Sequence, residues 1–142
     1  MNPHTPQPDT AQPPVETLFH ELHKTIKTLR GPKGCPWDIK QTNDSLKKYL
    51  QEEMTETISA MDDSNYDNLC EELGDLLFLI LLATEVNKEN GHFGLADVIT
   101  QITSKMIRRH PHVFGNISCD DETLLNKQWE AIKSQEKRGK TV

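Results

Sequence analysis

The chain has 142 residues, 16 Lys+Arg against 22 Asp+Glu, a formal net charge of −6, 35% hydrophobic residues and 27% charged ones. That length suits one domain with or without a tail, and leaves little room for two independent cores. Residues 51–90 hold 11 acids and one base, a charge of −10, while the rest of the chain sums to +4; this excludes the broad basic excess of a nucleic-acid coat protein but not a nucleotide ligand carried with metal ions.

In chain order, residues 1–14 include five of the eight prolines and no apolar h-region. They read as a Pro-rich disordered leader rather than a signal peptide. Val15, Leu18, Phe19, Leu22, Ile26 and Leu29 follow one helical stripe, which Gly31 and Pro32 end. A loop is expected to about Asp44. The second helix is expected over residues 45–61, capped by Asp44 or Ser45, with Leu46, Leu50, Met54, Thr57 and Met61 on its core face. The turn at residues 62–65 breaks it. A third helix is expected from about residue 66 to residue 90. Its run LLFLILLA is apolar all round, which predicts a central helix. A fourth spans residues 95–109, with Leu95, Val98, Ile99, Ile102 and Met106 inward, ended by Pro111. A fifth spans about residues 121–137, with Leu124, Leu125, Ile132 and Trp129 as candidate buried positions.

No segment alternates with period two. The expectation is an all-α helical bundle of about five helices, covering residues 15–137, with a fraying basic tail over residues 138–142. A small bundle with an all-apolar helix lacks enough partners of its own, so oligomerisation is expected to complete it. Cys35, Cys70 and Cys119 are odd in number and widely spaced, against a disulfide framework or structural zinc and for a reducing cytoplasm. The longest apolar run is eight residues; a membrane span needs roughly 20.

The acidic centre carries Glu52-Glu53-Met54-Thr55-Glu56 and Glu72-Leu73-Gly74-Asp75 on consecutive helices. Residues i and i+3 share a helix face, so Glu53 pairs with Glu56 and Glu72 with Asp75. On the wheel Glu52 points away from Glu53 toward solvent. A short turn makes the two helices antiparallel neighbours, so that four carboxylates can converge on one groove. Such a set answers its own repulsion with raised pKa values or bound cations. Oxygen donors without His or Cys select Mg²⁺, or Mn²⁺, over zinc. Each pair alone is also what an ordinary solvated helix face looks like. A di-iron site would want Glu-x-x-His pairs, which are absent. His20 and His23 share a face of the first helix and read as surface or half-buried histidines before metal ligands. Lys105, Arg108 and Arg109 cluster near the end of the fourth helix, as dipole-complementing cations or as a phosphate clamp. Trp129 either fills core or stacks on a base.

GPKGCPWDIKQTNDSLKKYLQEEMTE, EELGDLL and KMIRRHPHVFGN together resemble the MazG family of nucleoside triphosphate pyrophosphohydrolases, over about residues 18–132. Some members carry two such domains in tandem, and the CPWD and RRHPHVF segments resemble the first of these. The resemblance implies the all-α NTP pyrophosphatase fold, a homodimer or higher homo-oligomer, and Mg²⁺-dependent hydrolysis between the α and β phosphates to a nucleoside monophosphate and pyrophosphate. It implies Glu53, Glu56, Glu72 and Asp75 as catalytic metal ligands. Glu52 belongs to the motif behind them, and Tyr49 and Glu71 stand beside it as candidate pocket residues. Lys105, Arg108 and Arg109 match phosphate-contacting positions and Trp129 a nucleotide-contacting one. The expected partner is an NTP or dNTP, with no nucleic-acid polymer and no membrane. Two other readings stay open: a non-catalytic sensor of nucleotide or metal, and a narrower pyrophosphatase for dUTP or a phosphoribosyl nucleotide.

Overall fold

The computed structural model describes residues 12–116 and 119–140. Most of the expected leader, residues 1–11, and the last two residues of the expected tail lie outside the described residues. Among those described there are seven helices and no strand: α1 (Val15–Leu29), α2 (Pro36–Lys40), α3 (Asn43–Asp62), α4 (Tyr66–Glu89), α5 (Leu95–Arg109), α6 (Pro111–Phe114) and α7 (Glu122–Lys140). The two beyond the expected five, α2 and α6, are single short turns, each opened by a proline at its start. Proline suits that position because its φ is preset and its missing N–H has no helical partner there. α7 continues through Lys140, where a fraying tail was expected. The chain falls into two compact units with the boundary between Gly94 and Leu95.

In the first unit α4 packs on α3 and on α1. The turn after α1 depends on glycine. Cys35 N–H donates to Leu29 O at 2.8 Å, and a Cβ on Gly34 would stand 2.0 Å from that oxygen and 2.7 Å from Thr28 O. Gly34→Ala is therefore expected to cost about 2–4 kcal/mol, read from the urea midpoint; an unchanged midpoint would mean the turn re-forms without strain. Arg30 then ties three segments together. Its Nη1 donates to Asp38 O and Gln41 O, and its Nε and Nη2 grip the Glu89 carboxylate at 3.1 and 2.7 Å. Gln41 is buried and reaches Trp37 O with its amide.

α3 starts earlier than expected, and its cap is Thr42 rather than Asp44 or Ser45. Thr42 Oγ1 accepts from Ser45 N–H while Ser45 Oγ accepts from Thr42 N–H. This reciprocal box satisfies two otherwise orphaned donors. Asn43 and Asn87 exchange amide hydrogen bonds at 3.0 and 2.8 Å, joining the start of α3 to the end of α4, so the two helices run antiparallel. The turn between them carries Ser64 at φ 51°. His23 Nε2 meets Glu85 Oε1 at 3.0 Å, linking α1 to α4. That bond gives His23 a structural partner, while His20 is exposed.

The core faces differ from expectation. Leu46 and Thr57 of α3 are buried, but Met54 and Met61 are 50% and 54% exposed. α4 is buried at Leu79, Leu81, Leu82 and Val86, whereas Leu73, Leu77 and Ile80 remain exposed. The apolar run is therefore central only in its second half. Periodicity marks a stripe that water disfavours; it does not say which surface covers it.

In the second unit α5 packs on α6 and α7. Leu95 is buried, and Val98 and Met106 are half-buried. Ile99 and Ile102, expected inward, are exposed, as is Leu124. Leu125, Trp129 and Ile132 are half-buried. No helix among the described residues is long and apolar enough to cross a membrane.

Candidate metal and nucleotide site

Glu53 and Glu56 stand one turn apart on α3, and Glu72 faces them from α4. One oxygen from each lies within 4.8 Å of the others. Glu53 and Glu72 are half-buried and Glu56 is exposed. Buried Oε2 atoms of Glu53 and Glu72 have no hydrogen-bond partner among the described residues. A buried acceptor without a donor costs free energy, more so when charged. Glu56 and Glu72 answer part of the crowding among these carboxylates by holding a proton more tightly than an ordinary carboxyl. Glu56 titrates above the ordinary carboxylate value because it shares a hydrogen bond with Glu72 and feels its charge, with smaller contributions from Asp75 and Glu52. Glu72 is also raised, first by its hydrogen bond to Glu53 and then by desolvation. Two orphaned oxygens in an all-carboxylate set are what a hard divalent cation satisfies, so the donors fit Mg²⁺ or Mn²⁺.

The expected fourth ligand, Asp75, stands outside this set of three. It is exposed, and its charge reaches both Glu56 and Glu72. It lines an adjoining cavity of about 240 Å³ with Trp37, Tyr49, Glu52, Glu53, Phe78 and Leu79. Glu52 was expected to turn away from Glu53; it is exposed, yet the two border this same cavity. Tyr49 meets Trp37 edge-on, with ring centroids 5.3 Å apart. The cavity thus has aromatic and aliphatic walls on one side and carboxylates on the other. Glu71 is exposed and lines neither feature. Trp37 and Phe78 were not among the sequence candidates. The tryptophan of the CPWD segment was the available signal, since an aromatic residue in a turn ahead of the acidic helix has few core positions to fill.

The basic cluster belongs to the second unit. Arg108 Nε and Arg109 Nη2 both donate to one carboxylate, Glu136 of α7, at 2.6 and 2.9 Å. Arg109 also lies over the Trp129 ring, 5.0 Å from its centroid, and His110 meets the same ring edge-on at 5.3 Å. Lys105 and Arg108 line an open groove of about 510 Å³ along α5.

Acids paired across two antiparallel helices, with an aromatic cavity beside them, define an all-α domain with a candidate cation and nucleotide site. Residues 41–114, just over half of the chain, match the MazG nucleotide pyrophosphohydrolase domain, and the chain belongs to that family. It is 45% identical over 131 residues to the uncharacterized protein YabN of Bacillus subtilis (strain 168), covering 88% of this chain and 27% of that protein. It is 49% identical over 120 residues to the nucleoside triphosphate pyrophosphohydrolase/pyrophosphatase MazG of Thermotoga maritima, covering 84% of this chain and 46% of that one. The chain therefore spans less than half the length of these curated relatives. Its fold matches the crystal structure of a mazG-related protein from Thermotoga maritima with a TM-score of 0.67 and 26% identity, over 84% of this chain and 99% of the other.

Proposed function

We propose that the chain hydrolyses nucleoside triphosphates between the α and β phosphates, giving a nucleoside monophosphate and pyrophosphate, with Mg²⁺ held by Glu53, Glu56 and Glu72 and supported by Asp75. The observation that carries this is the three-carboxylate set with two buried, unpartnered oxygens. A cation bound there would neutralise phosphate charge and acidify a water. The chain's own groups supply the rest. The cavity bordered by Trp37, Tyr49 and Phe78 gives the nucleoside end an apolar face. Glu53 or Glu56, with an elevated proton affinity in the latter, can orient the attacking water and accept its proton. In the second unit, the family resemblance alone assigns Lys105, Arg108 and Arg109 to the phosphates and Trp129 to the nucleotide.

The deciding experiment is pyrophosphate release from a panel of NTPs and dNTPs with Mg²⁺ and product identification. The expected result is monophosphate plus pyrophosphate from several of them. Saturable binding without release would replace the enzyme with a sensor, and turnover of dUTP or a phosphoribosyl nucleotide alone would narrow it.

The same reading includes a second copy of the chain. Met54, Ile58 and Met61 on α3 and Leu73, Leu77 and Ile80 on α4 leave a helical surface of apolar side chains exposed, larger than scattered surface residues explain. A mass of at least twice 16.2 kDa is expected by light scattering at micromolar concentration. A monomer under those conditions would count against the assembly.

A further inference from the structure

We infer that the lysine-lined groove at the start of α3 is a separate anion site, suited to the phosphate dianion of a small monoester or of orthophosphate. It lies in the first unit, is lined by none of the carboxylates assigned to the cation and by none of the α5 cluster, and stands whether or not the chain turns over nucleotides.

Three observations carry it. The first is charge left over. Lys40, Lys47 and Lys48 line an open groove of about 600 Å³ together with a single acid, Asp44, among the described residues. Lys47 Nζ holds that acid at 3.0 Å. Neither Lys40 nor Lys48 meets a carboxylate within ion-pair distance among the described residues, although the same unit carries the −10 of residues 51–90. The second is where Lys48 places its charge. Glu52 stands four residues on, a spacing that lets opposite charges meet on a helix. The Lys48 ammonium instead lies over the Tyr49 ring, 4.8 Å from its centroid, and Tyr49 is a wall of the groove. A ring face holds an ammonium less firmly than phosphate oxygens do, so an entering anion can draw it off. The third is a floor fixed in advance. Gln41 is 3% exposed and tied at both ends of its amide: Nε2 donates to Trp37 O at 2.8 Å, and Oε1 accepts from Ser45 Oγ at 2.7 Å. Trp37 in turn meets Tyr49 edge-on. Only the two lysine stems lose freedom when a ligand arrives. Two uncommitted ammoniums match a dianion, which is the charge of a phosphate monoester. A nucleic-acid strand would need cations beyond the groove, and α3 continues with Glu52 and Glu53. Tyr49 also borders the cavity beside the three glutamates, so the two sites share one wall.

The test is calorimetric titration of the full chain in EDTA at neutral pH, with orthophosphate and with ribose phosphate. Without metal, the glutamate set repels both ligands. Saturable binding in the millimolar range is expected. Lys40→Gln and Lys48→Gln should each weaken it roughly tenfold, while Lys48→Arg, which keeps the charge, should retain most of it. Lys24→Gln removes the same charge from α1 and should change the affinity less than about twofold, because exposed charges at a distance are screened. The two ligands separate the sources: equal affinities assign the groove to free phosphate, and tighter binding of ribose phosphate assigns it to the phosphate end of a sugar ester. Either supports the site. Wild-type protein that binds neither ligand would overturn it. So would a loss from Lys24→Gln equal to that from Lys48→Gln, which would make net charge the cause, or binding undiminished by Lys40→Gln and Lys48→Gln, which would put the anion elsewhere. Loss of helical circular dichroism in both glutamine variants, with no binding by Lys48→Arg, would make the lysines folding elements and overturn it equally. Absence of pyrophosphate release from NTPs would sink the catalytic reading and leave this site standing.

Discussion

Glu53→Gln is expected to lower kcat/KM by at least about a thousandfold and, at the same time, to make the metal-free chain more heat-stable. The two effects have one cause. Glu53 brings an oxygen to the three-carboxylate set and leaves another buried without a donor. As a ligand it is charged and hard; Gln is neutral and a poor partner for Mg²⁺. As a structural group it crowds Glu72 from across the α3–α4 groove. An amide in its place removes that repulsion and can donate to the Glu72 carboxylate. Functional sites commonly hold strain that stability alone would remove. The expected gain is a rise of a few degrees in the metal-free Tm, measured in EDTA beside steady-state pyrophosphate release. Asp75→Asn tests the residue outside the tight set and should lose activity with a smaller change in Tm. If Glu53→Gln melts lower than wild type in EDTA, the carboxylates serve as scaffold and the site reading fails.

Much of this arrangement was legible in the sequence, and the gaps have physical reasons. α5 runs over the expected residues because Gly94 and Pro111 bracket a clear apolar stripe. α2 was missed because five residues cannot display a 3.6-residue period. The Thr42 cap lay three residues before Ser45, a box that hides when serine stands where glutamate is usual. The core faces were half right for a different reason. Leu46 and Met54 follow the same periodicity, yet one is buried and the other half-exposed, since pattern alone does not reveal the covering surface.

The acidic centre divides in the same way. The −10 of residues 51–90 has several origins. Glu85 is held by His23 and Glu89 by Arg30, so these acids are structural partners of α1 and its following turn. Glu53, Glu56 and Glu72 instead face one another, with the charge of Asp75 reaching Glu56 and Glu72. Helical spacing correctly placed Glu53 beside Glu56, because one helix fixes that geometry. It could not measure the distance from Asp75 to the set. Nor did it find Glu136, whose partners lie 27 and 28 residues earlier in the chain.

That contrast between paired and unpaired acids fixes how stability should respond to pH and Mg²⁺. Glu56 and Glu72 have folded pKa values above their ordinary 4.5, so between those values the folded chain binds more protons than the unfolded one. Their contribution is most favourable below 4.5 and is lost as pH rises through the elevated folded values. Glu89 and Glu136 run the other way. Arg30 lowers the first, and Arg109 with Arg108 lowers the second. Their contribution is present above 4.5 and is lost as pH falls toward the depressed folded values. The metal-free chain should therefore lose the Glu56 and Glu72 contribution as pH rises above 4.5 through their elevated folded values. Mg²⁺ must displace the retained protons to bind, so it should release protons, with an apparent affinity that rises with pH. At about 100 times its Kd it should add about 2.7 kcal/mol of stability. The check is a set of melting curves from pH 4 to 9 with EDTA or Mg²⁺, with calorimetry in two buffers of different ionisation enthalpy to count the protons. Mg²⁺ binding without proton release at the acid end of that range would show that Glu56 and Glu72 do not hold their protons more tightly than ordinary carboxyls, and would remove the electrostatic case for a cation beside them.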